Sequence, residues 1–215
     1  MIRIIGLGDS TTAGTPGYLS PIEAPPAGSG DVTSQYAWWL KKAHPEWDVL
    51  NKGVNGERTD QIAARFDRDV LQVSPLVVII IAGVNDVYQG LSAGHAIEHL
   101  RTMYTRALSA EVAVIAGSIL PFNTATPDQN ARMRQVNDWI AAYAAREARM
   151  DFVDTRRAVS APANGDLLSE SPDGLHPSPS GYRRVADALL PSVERRASAA
   201  WQQRHIRLDW SEFTE

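Results

Sequence analysis

The sequence predicts an α/β protein, a three-layer α/β/α sandwich around a central, mostly parallel sheet of about five strands. Two observations lead there. Short apolar runs bounded by turn residues alternate along the chain with segments of helical period. One of these runs, LVVIIIAG from Leu76 to Gly83, is apolar on both faces, as a central parallel strand covered by helices on both sides must be.

In chain order, strands are expected over residues 2–7, around 48–50, over 76–82, over 112–118 and near 151–153. Residues 34–42 read as a helix stopped by Pro45, and Ile62, Phe66 and Val70 mark one face of another. In the segment from Gly94 to Leu108, Ile97, Leu100, Tyr104 and Leu108 form the inward stripe, which places His95 and His99 off the core on a solvated face. Thr126, Pro127 and Gln129 supply an N-cap, a first-turn proline and a capping-box partner for a long helix buried through Met133, Val136, Ile140 and Tyr143. Ser178 and Pro179 open the last main helix, with Tyr182, Val185, Leu189 and Val193 inward. Open sheets of this kind bind ligands beyond the carboxyl ends of their strands, so the loops after each strand are where chemistry is expected.

Composition narrows the function. At 215 residues the chain is long enough for one well-filled core, and a single domain over 1–215 is expected, with its core at about 2–190 and an extension at about 199–215. Lys plus Arg number 21 against 25 for Asp plus Glu, a formal charge of −4 with no basic cluster, which argues against nucleic acid as a partner. With Cys at 0 there is no disulfide, no thiolate nucleophile and no Cys-ligated zinc. No apolar run approaches the ~20 residues that span a bilayer, and the chain enters its first strand without a basic region and long apolar stretch; a cytoplasmic location is the expectation.

Four loops carry chemistry. The first strand is followed by GDST with Ser10, the second by NKGVNGE with Gly53, the third by GVNDV with Asn85, and near the end stands DGLHPS with Asp173 and His176. Each alone has an ordinary reading: a helix cap for Ser10 and Asn85, a turn for Gly53 and Asp173–Gly174, a surface histidine for His176. Together and in this order they resemble the four blocks of the SGNH, or GDSL-type, hydrolases, over roughly residues 2–190. Thr11 departs from the usual Leu or Ile after the G-D-S triplet.

The resemblance implies a flavodoxin-like fold and a serine ester hydrolase acting through an acyl-serine intermediate. It makes Ser10 the nucleophile, His176 its base and Asp173 the acid that orients the imidazole. A serine hydroxyl needs such a base, and an imidazole with an ordinary pKa of about 6.5 can take its proton and return it. The oxyanion donors implied are the N–H of Ser10, the N–H of Gly53 and the side-chain amide of Asn85. No metal or organic cofactor is implied. The substrate is a small-molecule ester, with a short or acetyl acyl group preferred; lysophospholipase, thioesterase and acyltransferase activities share the same triad, and a noncatalytic binding module shares the fold.

Competing motifs are weak. Gly6 and Gly8 begin a dinucleotide fingerprint, but its third glycine is Thr11 and no acid closes the second strand. HAIEH at His95–His99 fits H-x-x-E-H, yet no third-ligand motif follows it. Around the site, the Gly- and Pro-rich segment 15–33 is expected to wall or cover the pocket through Tyr18, Leu19 and Ile22, with Phe122 and Asn123 opposite. Trp201, Trp210 and Phe213 in the C-terminal extension are expected to pack on the body or form a homo-oligomer contact.

Overall fold

The structure, a computed structural model, describes the backbone of residues 1–211 and the side chains of residues 1–203. Trp210 and Phe213 therefore lie outside the residues whose side chains are described. Five strands, β1 (Ile2–Gly8), β2 (Trp47–Gly53), β3 (Val77–Ile81), β4 (Ala113–Gly117) and β5 (Met150–Val153), form one sheet in the order β2-β1-β3-β4-β5. Every pairing is parallel. The strand order reverses at β1, so the crevice beyond the carboxyl ends of β1 and β3 is the topological switch point, where a ligand is expected.

Side-chain alternation divides the apolar residues between two cores. Ile5, Leu7, Val78, Ile80, Val114 and Ala116 face a core closed by α2 (Thr59–Ala64), α3 (Ala93–Ser109) and α4 (Pro127–Ala144). Ile4, Val77, Ile79, Ile81, Ala113 and Ile115 face the other, closed by α1 (Tyr36–Ala43) and α5 (Pro179–Ser211). Because successive residues of a strand point to opposite faces, β3 must be apolar throughout, and all five of its residues are buried. No helix among the described residues is long and apolar enough to cross a membrane.

The structure differs from the expected elements where polar side chains intervene. Instead of one helix from residue 34, a short 3-10 turn (Val32–Ser34) precedes α1, and Gln35 between them is extended, its side chain accepting from the Asn51 amide at 2.8 Å. The Ile62, Phe66 and Val70 face is buried as expected, but the helix breaks at Arg65 and resumes as a π-turn over Asp67–Leu71. At that break the Arg65 guanidinium is directed toward the sheet, donating to Gly8 O and Lys52 O at 2.9 Å each. In α4 the expected Thr126 capping box is present, while Tyr143 is only half-buried, its ring tilted against that of Trp139. Asn137 takes a buried place instead, because its amide exchanges bonds with the Ile119 N–H and C=O at 2.7 and 3.1 Å.

Candidate active site

The nucleophile loop is built by the end of β1. Asp9 caps a single turn, Ser10–Ala13, by accepting the Thr11 N–H at 2.9 Å, and this turn aims Ser10 Oγ outward at the base of a cleft. Far along the chain, the loop before α5 carries Asp173 and His176. Its shape is fixed by its own polar groups: Asp173 Oδ1 accepts from the Leu175 and His176 N–H groups at 2.9 and 2.8 Å, and Ser171 Oγ donates to His176 O at 2.6 Å. Asn123 supports the same loop, its N–H donating to Gly174 O at 2.7 Å.

These loops meet. Ser10 Oγ lies 2.9 Å from His176 Nε2, and His176 Nδ1 lies 2.7 Å from Asp173 Oδ2. Burial pushes the Asp173 carboxyl upward, but the hydrogen bonds from the His176 ring and from the two backbone N–H groups outweigh it and hold the group below the usual carboxylate value. A carboxylate, an imidazole and a hydroxyl in one line can move a proton from Oγ to Nε2 while Asp173 stabilises the charge on the ring.

On the other side of the cleft, Asn85 follows β3 at the start of a short helix, Val84–Tyr88, and its Nδ2 donates to Glu57 O at 2.9 Å. That bond uses one of two amide protons and leaves the second for a ligand. Gly53 does not take the place expected for it. Its N–H is donated to Asn51 Oδ1 at 2.9 Å, and it does not line the cleft. A Cβ on Gly53 would stand 2.0 Å from Ala13 N, so the residue is glycine because β2 packs directly against the nucleophile turn. Three residues on, Gly56 lines the cleft with φ of +77° and open space on its side-chain face. The N–H groups of Ser10 and Gly56 have no partner within the protein among the described residues. NKGVNGE contains two glycines, and spacing alone does not separate the packing glycine from the one at the cleft.

The cleft has a volume of about 250 Å³. Val84, Leu120, Pro121, Phe122 and Leu175 make its apolar side, and Asn55, Tyr88 and Gln89 its polar rim. Phe122 lines the cleft, packed edge-on against the exposed Tyr88 ring at 5.6 Å. Asn123 does not line the cleft; it accepts the Leu168 N–H at 2.8 Å and serves the loop below. Segment 15–33 is not a lid. Tyr18 is buried and donates to Ala27 O at 2.7 Å, while Leu19 is exposed and neither it nor Ile22 reaches the cleft. The segment instead braces the Gly56 loop from behind, through Glu23 on the Asn55 N–H at 2.8 Å and Ser20 on Gly53 O at 2.6 Å.

Two supporting residues have roles that the sequence does not assign, although Asp9 belongs to the GDST block. Arg65 ties Gly8 O, Lys52 O and Glu57 together in a nearly buried position, joining the ends of β1 and β2. Its placement beside Ile62 and Phe66 on a core-facing helix is the one local sign that it is not a surface arginine. Asp9 is the other. It is fully buried, its Oδ2 has no hydrogen-bond partner, and burial raises its pKa to about 7, with the Asp86 charge adding to the shift. An unfolded Asp is ionised above about pH 4, so between about pH 4 and 7 the native state holds a proton that the unfolded state has released. Asp9 therefore lowers stability progressively as pH rises through that window, by up to about 4 kcal/mol above pH 7. Asp9→Asn, which keeps the cap and cannot ionise, is expected to match the wild type at pH 4 and exceed it in urea denaturation at pH 8. Identical pH slopes for the two proteins would show that Asp9 does not titrate in this way.

The chain matches the model of the GDSL-like lipase/acylhydrolase family over residues 7–184. The chain belongs to this family. It is a carboxylic ester hydrolase. Among curated proteins it is 28% identical over 172 residues to an acetylxylan esterase from Geobacillus stearothermophilus, covering 72% of this chain and 76% of that protein. Solved GDSL-type structures share the fold. One is a member of the lipolytic G-D-S-L family from Veillonella parvula, with a TM-score of 0.73 at 20% identity, covering 91% of this chain and 100% of that one. Another is a variant of an acetyl-xylooligosaccharide esterase from a Geobacillus species, with a TM-score of 0.69 at 23% identity over 91% of this chain and 94% of that one.

Proposed function

We propose that this GDSL hydrolase cleaves short-chain, in particular acetyl, esters through an acyl intermediate on Ser10. The observation that carries the reading is the continuous relay from Ser10 Oγ through the His176 ring to Asp173, at 2.9 and 2.7 Å. His176 Nε2 accepts the hydroxyl proton as Oγ attacks the ester carbonyl carbon, and the carbonyl electron pair moves onto oxygen. That oxyanion is met by the N–H groups of Ser10 and Gly56 and by the free amide proton of Asn85. Collapse of the tetrahedral intermediate expels the alcohol, which takes the proton from His176. Water then repeats the sequence on the acyl-serine and frees the acid.

The preference for a short acyl group rests on the size of the cleft. At about 250 Å³ it falls below the roughly 300–1,000 Å³ usual for sites that enclose a drug-sized ligand, and its apolar side is short. The relationship to an acetylxylan esterase agrees with this choice. The polar rim of Asn55, Tyr88 and Gln89 is open to solvent and suits a polar alcohol portion. A panel of p-nitrophenyl esters from acetate to palmitate tests the proposal. Expected is a kcat/KM highest at acetate and falling steeply with chain length; a maximum at octanoate or beyond would overturn the short-chain assignment.

A further inference from the structure

Asp86 is the residue after Asn85, and its carboxylate is completely buried. Three donors hold it. The Thr59 N–H reaches Oδ2 at 2.9 Å, the Thr59 hydroxyl reaches Oδ1 at 2.6 Å, and His95 Nδ1 reaches Oδ1 at 2.8 Å. Thr59 begins α2 directly after the loop of Gly56 and Glu57, and Glu57 O is also the acceptor for Asn85 Nδ2. Two cleft walls, the Gly56 loop and the Asn85 helix, are therefore joined through Thr59–Asp86 and Asn85–Glu57 at one end of the short helix, and through Gln89 at the other, where its Nε2 donates to Gly56 O at 3.2 Å and its Oε1 accepts from Arg58 at 3.0 Å. His95 comes from a third element, the first turn of α3, and is only half-buried, so the solvated position expected for it is corrected by its bond to Asp86.

We propose that His95 is a positioning residue for the oxyanion hole: by donating to Asp86 it fixes the Val84–Tyr88 helix, and with it the distance between the Asn85 amide and the Gly56 N–H. The inference rests on the reading of Asn85 and Gly56 as oxyanion donors. A buried carboxylate that loses one of three donors must move toward another or toward water, and here any movement passes directly to the adjacent Asn85. Of the other charged groups nearby, Asp9 meets Asp86 through its charge. Asp60 lies close to Asp86 and His95, but its two oxygens are taken by Arg58 at 3.0 Å each, and the His99 ring packs 4.7 Å from that of His95 without reaching Asp86. Asp86 and His95 are thus paired with each other and Asp60 with Arg58, an arrangement suited to alignment.

The test compares wild type with His95→Asn, His95→Gln, Asn85→Ala and the double variant Asn85→Ala/His95→Gln, using p-nitrophenyl acetate and monitoring Tm. An Asn amide can donate from the position of Nδ1, whereas a Gln amide reaches toward Nε2. His95→Asn is therefore expected to keep most of the wild-type kcat. His95→Gln is expected to lose about 10-fold or more in kcat, the scale of one bond to a charged group, with KM nearly unchanged. In the Asn85→Ala background His95→Gln is expected to cost nothing further, because its effect passes through Asn85. Equal activity of all His95 variants overturns the inference, as does equal loss in Asn and Gln variants, or an undiminished loss in the double variant. Ser10→Ala keeps the two failures apart: if it is as active as wild type, the reading of the site fails, whereas a silent Ser10→Ala and an impaired Asn85→Ala beside normal His95 variants refute the His95 role alone.

Discussion

Ser10→Ala and His176→Ala are each expected to lower kcat on p-nitrophenyl acetate by roughly 10⁵- to 10⁶-fold, and the double variant by no more than either alone. The reason is the geometry of the relay. With His176 Nε2 at 2.9 Å from Oγ, the hydroxyl loses its proton only as it attacks, so neither group achieves anything without the other. Residual activity in the single variants should come from the oxyanion donors and substrate binding, which neither substitution touches. Steady-state kinetics on the three proteins checks this; losses that multiply in the double variant would mean that Ser10 and His176 act independently, which a nucleophile and its base cannot do.

Asn85→Ala is the second large effect. Asn85 lines the cleft and has a second amide proton beyond the one given to Glu57 O; on the proposed mechanism the charge that proton meets exists only in the tetrahedral intermediate. Removing one such donor typically costs about 3–4 kcal/mol, or roughly 100- to 1,000-fold in kcat, with little change in KM because the ground-state carbonyl is a weaker acceptor. A change confined to KM would place Asn85 in substrate binding instead. The same variant also removes the bond to Glu57 O, so Tm should be recorded alongside, and a loss of activity without a comparable loss of stability is the expected pattern.

Much of this was legible in the chain. Strand positions followed from apolar runs, since a strand buried on both faces leaves no room for polar residues, and β3 is the clearest case. Ser10, Asn85 and His176 each follow a strand or a turn near the same sheet edge and line one cleft, with Asp173 behind the His176 ring. Gly53 was misread for a physical reason. A glycine that admits a neighbouring backbone and a glycine that presents its N–H to a ligand look the same in sequence; the 2.0 Å approach to Ala13 and the N–H bond to Asn51 separate Gly53 from Gly56, which lines the cleft. Segment 15–33 was misread because proline and glycine mark a loop without saying which way it faces; Ser20 and Glu23 turn it toward the back of the Gly56 loop. His95 was assigned to solvent because helical period reports the core-facing stripe and not a polar partner on the flank, and Asp86 is such a partner. The burial of Arg65 and of Asp9, the acid of the GDST block, is only faintly marked in the sequence, since burial of a charged side chain depends on contacts distant along the chain.

Covalent labelling tests the acyl-serine account most directly. The protein would be treated with a p-nitrophenyl phosphonate, which phosphonylates an activated serine irreversibly, and then digested and mapped by mass spectrometry while esterase activity is followed in parallel. The account predicts one phosphonyl group per chain, on the peptide carrying Ser10, with activity falling in step with labelling and no labelling in His176→Ala on the same time scale. Label on a different residue, or complete inactivation with Ser10 unmodified, would contradict it.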